Sequence, residues 1–309
     1  MRADDFATVK KLIPYAFAAL FTRETGRKQT MPPRTVAELA SYLESDPAGC
    51  FSAVWGGKVV GCAFAHTWGD VGWTGPLAVH PDCQGRGIGK ALLAAATDYL
   101  GRSGVRTIGL ETMPQTVYNL GLYMKNGYQP GNLRLRYSKE IGIFSPAWRD
   151  DVGELVTARA AEIPALLPAV QAISDAIEPG LDYRKEVQLT YKYGLGEIFL
   201  LRRTDATVGF CLYHHLATRG RAIIKVLAVA PAAGNAALFG QFLAACELTL
   251  SRRGIQHLIA PIYGEYNEVC SWLLASGYSI SNAGVRMFKV RKAGPPVRPD
   301  LIHLAQWSG

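Results

Sequence analysis

Gly85, Gly87 and Gly89 alternate with Arg86 and Ile88 inside the run VHPDCQGRGIGKALL, which spans Val79–Leu93. The chemistry this spacing suits is anion binding. Glycine lets the backbone take positive φ and lets a ligand approach without meeting a Cβ, while Arg86 and Lys90 add formal positive charge. The flanking elements would position that loop. Upstream, Trp73, Leu77 and Val79 mark a strand over 72–79, and Pro81, with no N–H to donate, ends its ladder. Downstream, Leu92, Ala95, Ala96 and Tyr99 recur at helical spacing, which predicts a helix opening near Gly87 and closing around 101–104. The loop then faces the unpaired first-turn N–H groups of that helix, whose macrodipole adds about 0.3–1 kcal/mol per favourable anion contact. A pyrophosphate fits such a site.

Spacing decides which phosphate ligand. A P-loop needs Ser or Thr after its GK pair, and Gly89-Lys90 is followed by Ala91, so the Mg²⁺-binding hydroxyl is missing. A dinucleotide fingerprint needs GxGxxG, and the glycines here run GxGxG. The pattern that does match is Q/R-x-x-G-x-G/A, here Gln84-Gly85-Arg86-Gly87-Ile88-Gly89, preceded by L-x-V-x-P as Leu77-Ala78-Val79-His80-Pro81. This resembles the acetyl-CoA motif of the GNAT N-acetyltransferase superfamily. The resemblance implies that Leu77, Ala78, Val79, Gln84, Gly85, Arg86, Gly87, Ile88, Gly89 and Lys90 hold acetyl-CoA. It further implies that the strand before the loop splays from its neighbour, so that backbone groups at Leu77 and Val79 meet the pantetheine and the acetyl carbonyl. Transfer in such a site is direct, with amine and thioester held side by side.

A second segment, LETMPQTVYNLGLYMKNGY over Leu110–Tyr128, extends the resemblance. A short strand ending at Leu110 is expected before it, and a helix over 115–125 that stops at Asn126-Gly127. Tyr123 stands four residues before the glycine of the Gly127-Tyr128 pair, where the family carries the general acid for the departing thiolate. A phenol with a pKa of about 10 is protonated at neutral pH, as that role requires; the other reading of Tyr123 is a core aromatic on an amphipathic helix. Glu111 lies twelve positions earlier, the spacing at which bacterial ribosomal-protein N-acetyltransferases place their general base. A carboxylate raised in pKa by partial burial can take the amine proton; the other reading is a solvated glutamate at a strand end. Those relatives have Asn where this chain has Thr116, and Asn119, one helical turn on, is the substitute cofactor contact.

An internal repeat organises the rest. Leu77-Ala78-Val79 and Pro81 return as Leu227-Ala228-Val229 and Pro231, and Gly127-Tyr128 as Gly277-Tyr278, all at an offset of 150 residues. Where chemistry would need agreement, the copies differ: Gln84, Gly85, Arg86, Gly87 and Gly89 become Gly234, Asn235, Ala236, Ala237 and Phe239, and Tyr123 becomes Leu273. The second loop is thus expected to put side chains into the pyrophosphate path. The fold expected is α/β, two tandem GNAT-like domains, each a mixed twisted sheet flanked by helices, with the C-terminal copy degenerate. The boundary falls where IFSPAWRDDVG breaks periodicity, giving a catalytic domain over 1–146 and a structural or substrate-shaping domain over 147–309. Asp4-Asp5 caps a first helix carrying Val9, Leu12, Ile13 and Phe17, and the region from Tyr15 to Tyr42 would lie over the acceptor.

Composition narrows the partners. With 49% hydrophobic and 19% charged residues the chain has apolar material for real cores. Its net charge of +8 is spread, 17 basic against 12 acidic residues over 1–150 and 16 against 13 beyond, and no basic run accompanies a nucleic-acid motif. No signal peptide and no bilayer-spanning apolar run of about 20 residues is read. The six cysteines form no CxxC pair, and adjacent His214 and His215 point to opposite faces of a strand, so neither zinc nor any other metal is expected. The partner expected is a small-molecule amine in a reducing cytoplasm, with neither nucleic acid nor membrane. Two other readings stay open: a protein or peptide acceptor, and a non-catalytic acyl-CoA sensor.

Overall fold

The computed structural model describes residues 1–142, 153–204, 206–230, 236–290 and 303–306. In chain order the first half holds α1 (Phe6–Thr25), α2 (Val36–Ser45), β1 (Cys50–Trp55), β2 (Lys58–Trp68), β3 (Val71–Val79), α3 (Ile88–Arg102), β4 (Thr107–Thr112), α4 (Val117–Lys125) and β5 (Gln129–Glu140). The second half follows with β6 (Glu154–Thr157), α5 (Ile163–Ile177), α6 (Arg184–Lys192), β7 (Gly196–Arg203), β8 (Ala206–His215), β9 (Arg221–Val229), α7 (Ala236–Arg252), β10 (His257–Tyr263), α8 (Asn267–Ala275), β11 (Ser279–Val290) and β12 (His303–Ala305).

Contacts divide these residues into two units. Unit 1 is Met1–Gly131 with residues 285–290, and unit 2 is Asn132–Gly284 with residues 303–306. The boundary expected at 146/147 lies outside the described residues. What the ranges reveal is a reciprocal exchange: unit 1 takes the end of β11 from the second repeat, and unit 2 takes β5 from the first.

In unit 1 the sheet runs β1-β2-β3-β4 and is completed by the second half of β11. The β1/β2, β2/β3 and β4/β11 pairs are antiparallel and β3/β4 is parallel. Side-chain alternation gives this sheet two buried faces. On one, Phe6, Val9, Leu12 and Ile13 of α1 and Leu39 of α2 bury against Cys62, Phe64 and Ala78. On the other, Leu93, Ala96 and Leu100 of α3 meet Ala65, Ile108, Leu110 and Met287, together with Tyr123 and Tyr128. Tyr128 Oη lies 2.8 Å from Thr97 Oγ1, which ties the end of α4 to α3. Asp46, buried after α2, accepts hydrogen bonds from Thr67 Oγ1 at 2.9 Å and Tyr99 Oη at 2.8 Å, and its other oxygen faces His66 Nδ1 at 3.3 Å. Asp5 does not cap α1 as expected. Its carboxylate accepts the Arg2 N–H, which holds it below the usual carboxylate range, and it closes a 3-10 turn that precedes the helix.

Unit 2 repeats the plan with β5-β10-β9-β8-β7-β6 in order, β10 antiparallel to β5 and parallel to β9. Its core joins Phe199, Leu201, Ile224 and Leu227 to Phe239, Phe242, Leu243 and Leu250 of α7. Residues Ala160–Ile177 are long and apolar enough to cross a bilayer by length and composition, a window absent from the sequence reading. They form a 3-10 turn and α5, whose Leu166, Val170 and Ile173 are buried and which lies against β8 and β9.

One close approach is needed for the sheet of unit 1 to hold its largest buried side chain. The Trp73 indole lies across Gly109 of the neighbouring strand, where any Cβ would collide with the ring. Gly109→Ala should therefore overpack the site and cost about 1–3 kcal/mol. The check is thermal melting by circular dichroism, where a wild-type melting temperature would show that the indole can move aside.

Candidate active site

The site is built by a ladder that stops. Parallel pairing joins Val71–Thr74 to Thr107–Leu110 and goes no further, while β3 continues to Val79, paired only to β2 through Leu77↔Ala63, Ala78↔Cys62 and Val79↔Gly61. Past Thr74 the edge of β3 that faced β4 has no strand on it among the described residues. Backbone N–H and C=O groups along such an edge need partners. An extended ligand bearing amides can supply them.

The glycine loop follows at the end of this opening. A 3-10 turn over Pro81–Cys83 leads into it, and Gln84 Nε2 donates to the Val79 carbonyl at 3.1 Å, tying loop to strand. Gly85 and Gly87 have φ of +77° and +81°, and a Cβ on either would meet no atom within 4 Å. The conformation requires glycine there, and the space above the backbone is open. Gly87 stands at the N-cap of α3 without any side-chain cap, and the Ala91 N–H is the first to bond back, to the Gly87 carbonyl at 3.0 Å. The N–H groups of Ile88, Gly89 and Lys90 therefore point out of the helix unsatisfied by it. Arg86 and Lys90 are exposed beside them, with the Arg86 guanidinium 5.7 Å from the Trp55 ring centre.

Tyr123 and Glu111 approach from opposite faces of β4. Tyr123, on α4, belongs to the core cluster with Ile108 and Leu110 and is 9% exposed. Its ring lies edge-on to Tyr128, centroids 6.3 Å apart, and burial pushes its phenol up to about 12. It is a protonated donor at neutral pH. Glu111 alternates with Leu110, so it projects to the face that carries α1 and α2. Its side chain is 6% exposed, which removes the solvated strand-end reading, and its Oε2 lies 3.9 Å from Nε of Arg286.

Asn119 sits half-buried on α4, two residues into a helix that begins at Val117, later than the expected 115. Thr116 is fully buried, its hydroxyl donating to the Met113 carbonyl at 2.7 Å, so it is committed to its own turn. Above this region the Arg23 guanidinium at the end of α1 covers the Tyr118 ring at 5.6 Å. Sequence reasoning missed Arg286. The signal was available, because Arg136 and Arg286 stand at the same 150-residue offset as the other repeated positions.

Unit 2 keeps the opening and fills it. β9 pairs with β10 over residues 221–223 and 257–259 only, as β3 does with β4. Beyond that point β12 adds antiparallel to β9 through His303↔Ala228, Leu304↔Leu227 and Ala305↔Val226, and the Gln306 N–H donates to the Lys225 carbonyl at 2.9 Å. Residues 226–228 stand 150 positions after 76–78. Phe239, expected to project into a ligand path, is instead 1% exposed in the core of unit 2. Gly234 and Asn235 lie outside the described residues. Pro261 occupies the register position of Glu111, opposite Arg136. His214 bonds Thr190 Oγ1 at 2.7 Å, and its pKa is pushed down to about 3 by burial, with Lys225 adding to the effect.

Comparisons with known proteins agree with this geometry. The model of the acetyltransferase (GNAT) family matches residues 15–128. The [ribosomal protein bS18]-alanine N-acetyltransferase of Escherichia coli K12 is 36% identical over 61 residues, 20% of this chain and 41% of that relative's length. Among solved structures, a putative acetyltransferase from Pyrococcus horikoshii superposes with a TM-score of 0.73 at 19% identity, covering 100% of this chain and 93% of that one. A tandem GNAT protein from the clavulanic acid biosynthesis pathway gives 0.63 at 18% identity, covering 96% and 98%. Residues 15–128 thus match the model of the acetyltransferase (GNAT) family, and over its whole length the chain has the fold of solved GCN5-related N-acetyltransferases, a tandem GNAT protein among them.

Proposed function

We propose that unit 1 transfers an acetyl group from acetyl-CoA directly to an amine carried by a small molecule. The observation that carries this reading is the unpaired edge of β3 leading into the uncapped start of α3. Pantetheine amides pair with the backbone at Leu77–Val79, and the pyrophosphate takes the N–H groups over Gly85–Lys90, with Arg86 and Lys90 as counter-charges and Asn119 as a further contact. Glu111 accepts a proton as the amine nitrogen bonds to the thioester carbon. The tetrahedral adduct then collapses, the C–S bond breaks, and Tyr123 gives its proton to the departing sulfur. Solvent returns the proton from Glu111 to Tyr123. All six cysteines are free thiols, which supports a reducing compartment such as the cytoplasm.

A second reading, with a protein N-terminus as the amine, is favoured by the stretch shared with the bS18-alanine N-acetyltransferase. Competition between small amines and peptides in one assay, followed by product mass spectrometry, separates the two. Acetyl-CoA binding with no transfer to any amine would leave a sensor.

Four measurements bear on the site. Calorimetry should give one acetyl-CoA site per chain, lost in Gly87→Phe, because β12 occupies the corresponding edge in unit 2; two equivalent sites would contradict it. Tyr123→Phe should lower kcat by roughly 10²–10⁴-fold with acetyl-CoA affinity kept. In the parent enzyme the alkaline fall in kcat should come near pH 12, since the phenol stays protonated up to its raised pKa; a fall near 10 would point to a different group. Glu111→Gln should lower kcat by a factor of about 10²–10⁴ at neutral pH and recover in part at high pH, where the amine is already deprotonated. No change in kcat would dismiss Glu111 as the base.

A further inference from the structure

Within unit 1, the strand beside Glu111 is not encoded beside it. The end of β11 runs antiparallel to β4 with Val285↔Thr112, Arg286↔Glu111 and Met287↔Leu110, so Arg286 and Glu111 are directly opposed neighbours on one face of the sheet. Arg286 is 1% exposed, and a guanidinium that deep is costly unless an opposite charge faces it. The Glu111 carboxylate does so at 3.9 Å. The guanidinium is also fixed from a second direction, lying 5.1 Å from the Trp73 ring centre, and that indole stands edge-on to Phe288. A planar cation on an aromatic face loses rotational freedom that a lysine in its place would keep. In unit 2 the register is the same but Arg136 is opposed by Pro261. What distinguishes the units is the pair rather than the arginine.

We propose that Arg286, carried into unit 1 by β11 of the second repeat, is a positioning residue that holds the Glu111 carboxylate in the orientation from which it accepts the amine proton. This rests on the reading of Glu111 as the base. It gives the degenerate repeat a stated part in catalysis without a reaction of its own: it supplies the strand and the cation that orient the first repeat's carboxylate.

A double-mutant cycle on the full chain tests it, using acetyl-CoA and an amine that the parent enzyme acetylates. Arg286→Met should lower kcat more than about tenfold while calorimetric affinity for acetyl-CoA stays within about twofold, and Arg286→Lys should regain part of the lost rate. In a Glu111→Gln background, Arg286→Met should change kcat by less than about twofold, because the group it positions is gone. Equal fold losses in both backgrounds, a loss confined to acetyl-CoA affinity, or no loss at all would overturn the proposal. Should Arg286→Met leave the carboxylate buried alone and fail to fold, Arg286→Lys with Glu111→Gln/Arg286→Lys closes the same cycle with a cation retained. The two possible failures are distinguishable. An active Glu111→Gln enzyme removes the base and this proposal with it, whereas a slow Glu111→Gln enzyme beside a fast Arg286→Met enzyme removes only the role of Arg286.

Discussion

Backbone amides and carbonyls on a strand edge cannot be left buried without partners, and this constraint governs both units. After Thr74 and Leu110 the strands β3 and β4 stop pairing, and after Ile223 and Ile259 so do β9 and β10. Each divergence creates an edge that something must satisfy. In unit 2 the chain satisfies it with its own β12, which adds a short ladder on residues 226–228 and a further bond at Lys225. In unit 1 no strand among the described residues does, and the open edge runs directly into a loop whose conformation requires glycine at 85 and 87. One architecture thus gives a receptive cleft in one unit and a self-filled one in the other.

The same strand separates the two candidate catalytic side chains. Tyr123 reaches the end of β4 from the face shared with α3, locked by its edge contact with Tyr128, which is itself held to Thr97. Glu111 reaches it from the face shared with α1 and α2, where Arg286, itself over the Trp73 ring, faces it. In the proposed reaction, acid and base on opposite faces of one strand would approach the thioester from two sides. Burial raises the Tyr123 phenol and so keeps it protonated at neutral pH, the state that the proposed acid role requires.

Much of unit 1 was legible in the sequence because its signals are local. Strand, glycine loop and helix follow one another within about twenty residues, and the Tyr123-Gly127-Tyr128 spacing is contained in one helix and its stop. The repeat was legible too, since offsets of 150 recur without gaps from Leu77 to Tyr128. The strand exchange was not. β5 and β11 carry equivalent residues at equivalent positions, Arg136 and Arg286 among them, so either could complete either sheet and alternation alone does not choose. Nor was β12 visible, because three residues, His303–Ala305, are too few to show a period of two. Phe239 misled for a related reason: a bulky residue in place of a glycine says that the loop differs, and only the packing of α7 shows that the ring turns inward.

A chain whose repeats trade strands β5 and β11 resembles a domain-swapped pair in which the two partners have been joined end to end. Position along the sequence then ceases to report which half of the protein a lesion belongs to. A substitution at Val285, Arg286 or Met287 falls in the second repeat when counted by residue number, yet it injures the sheet of the first. Cutting the gene between the repeats would likewise leave β4 without its outer neighbour and β10 without β5, two fragments with raw hydrogen-bonding edges rather than two minimal domains. The degenerate repeat can lose its glycines, its tyrosine and its carboxylate without harm to its neighbour. It cannot be deleted, for its strand β11 is already part of another fold.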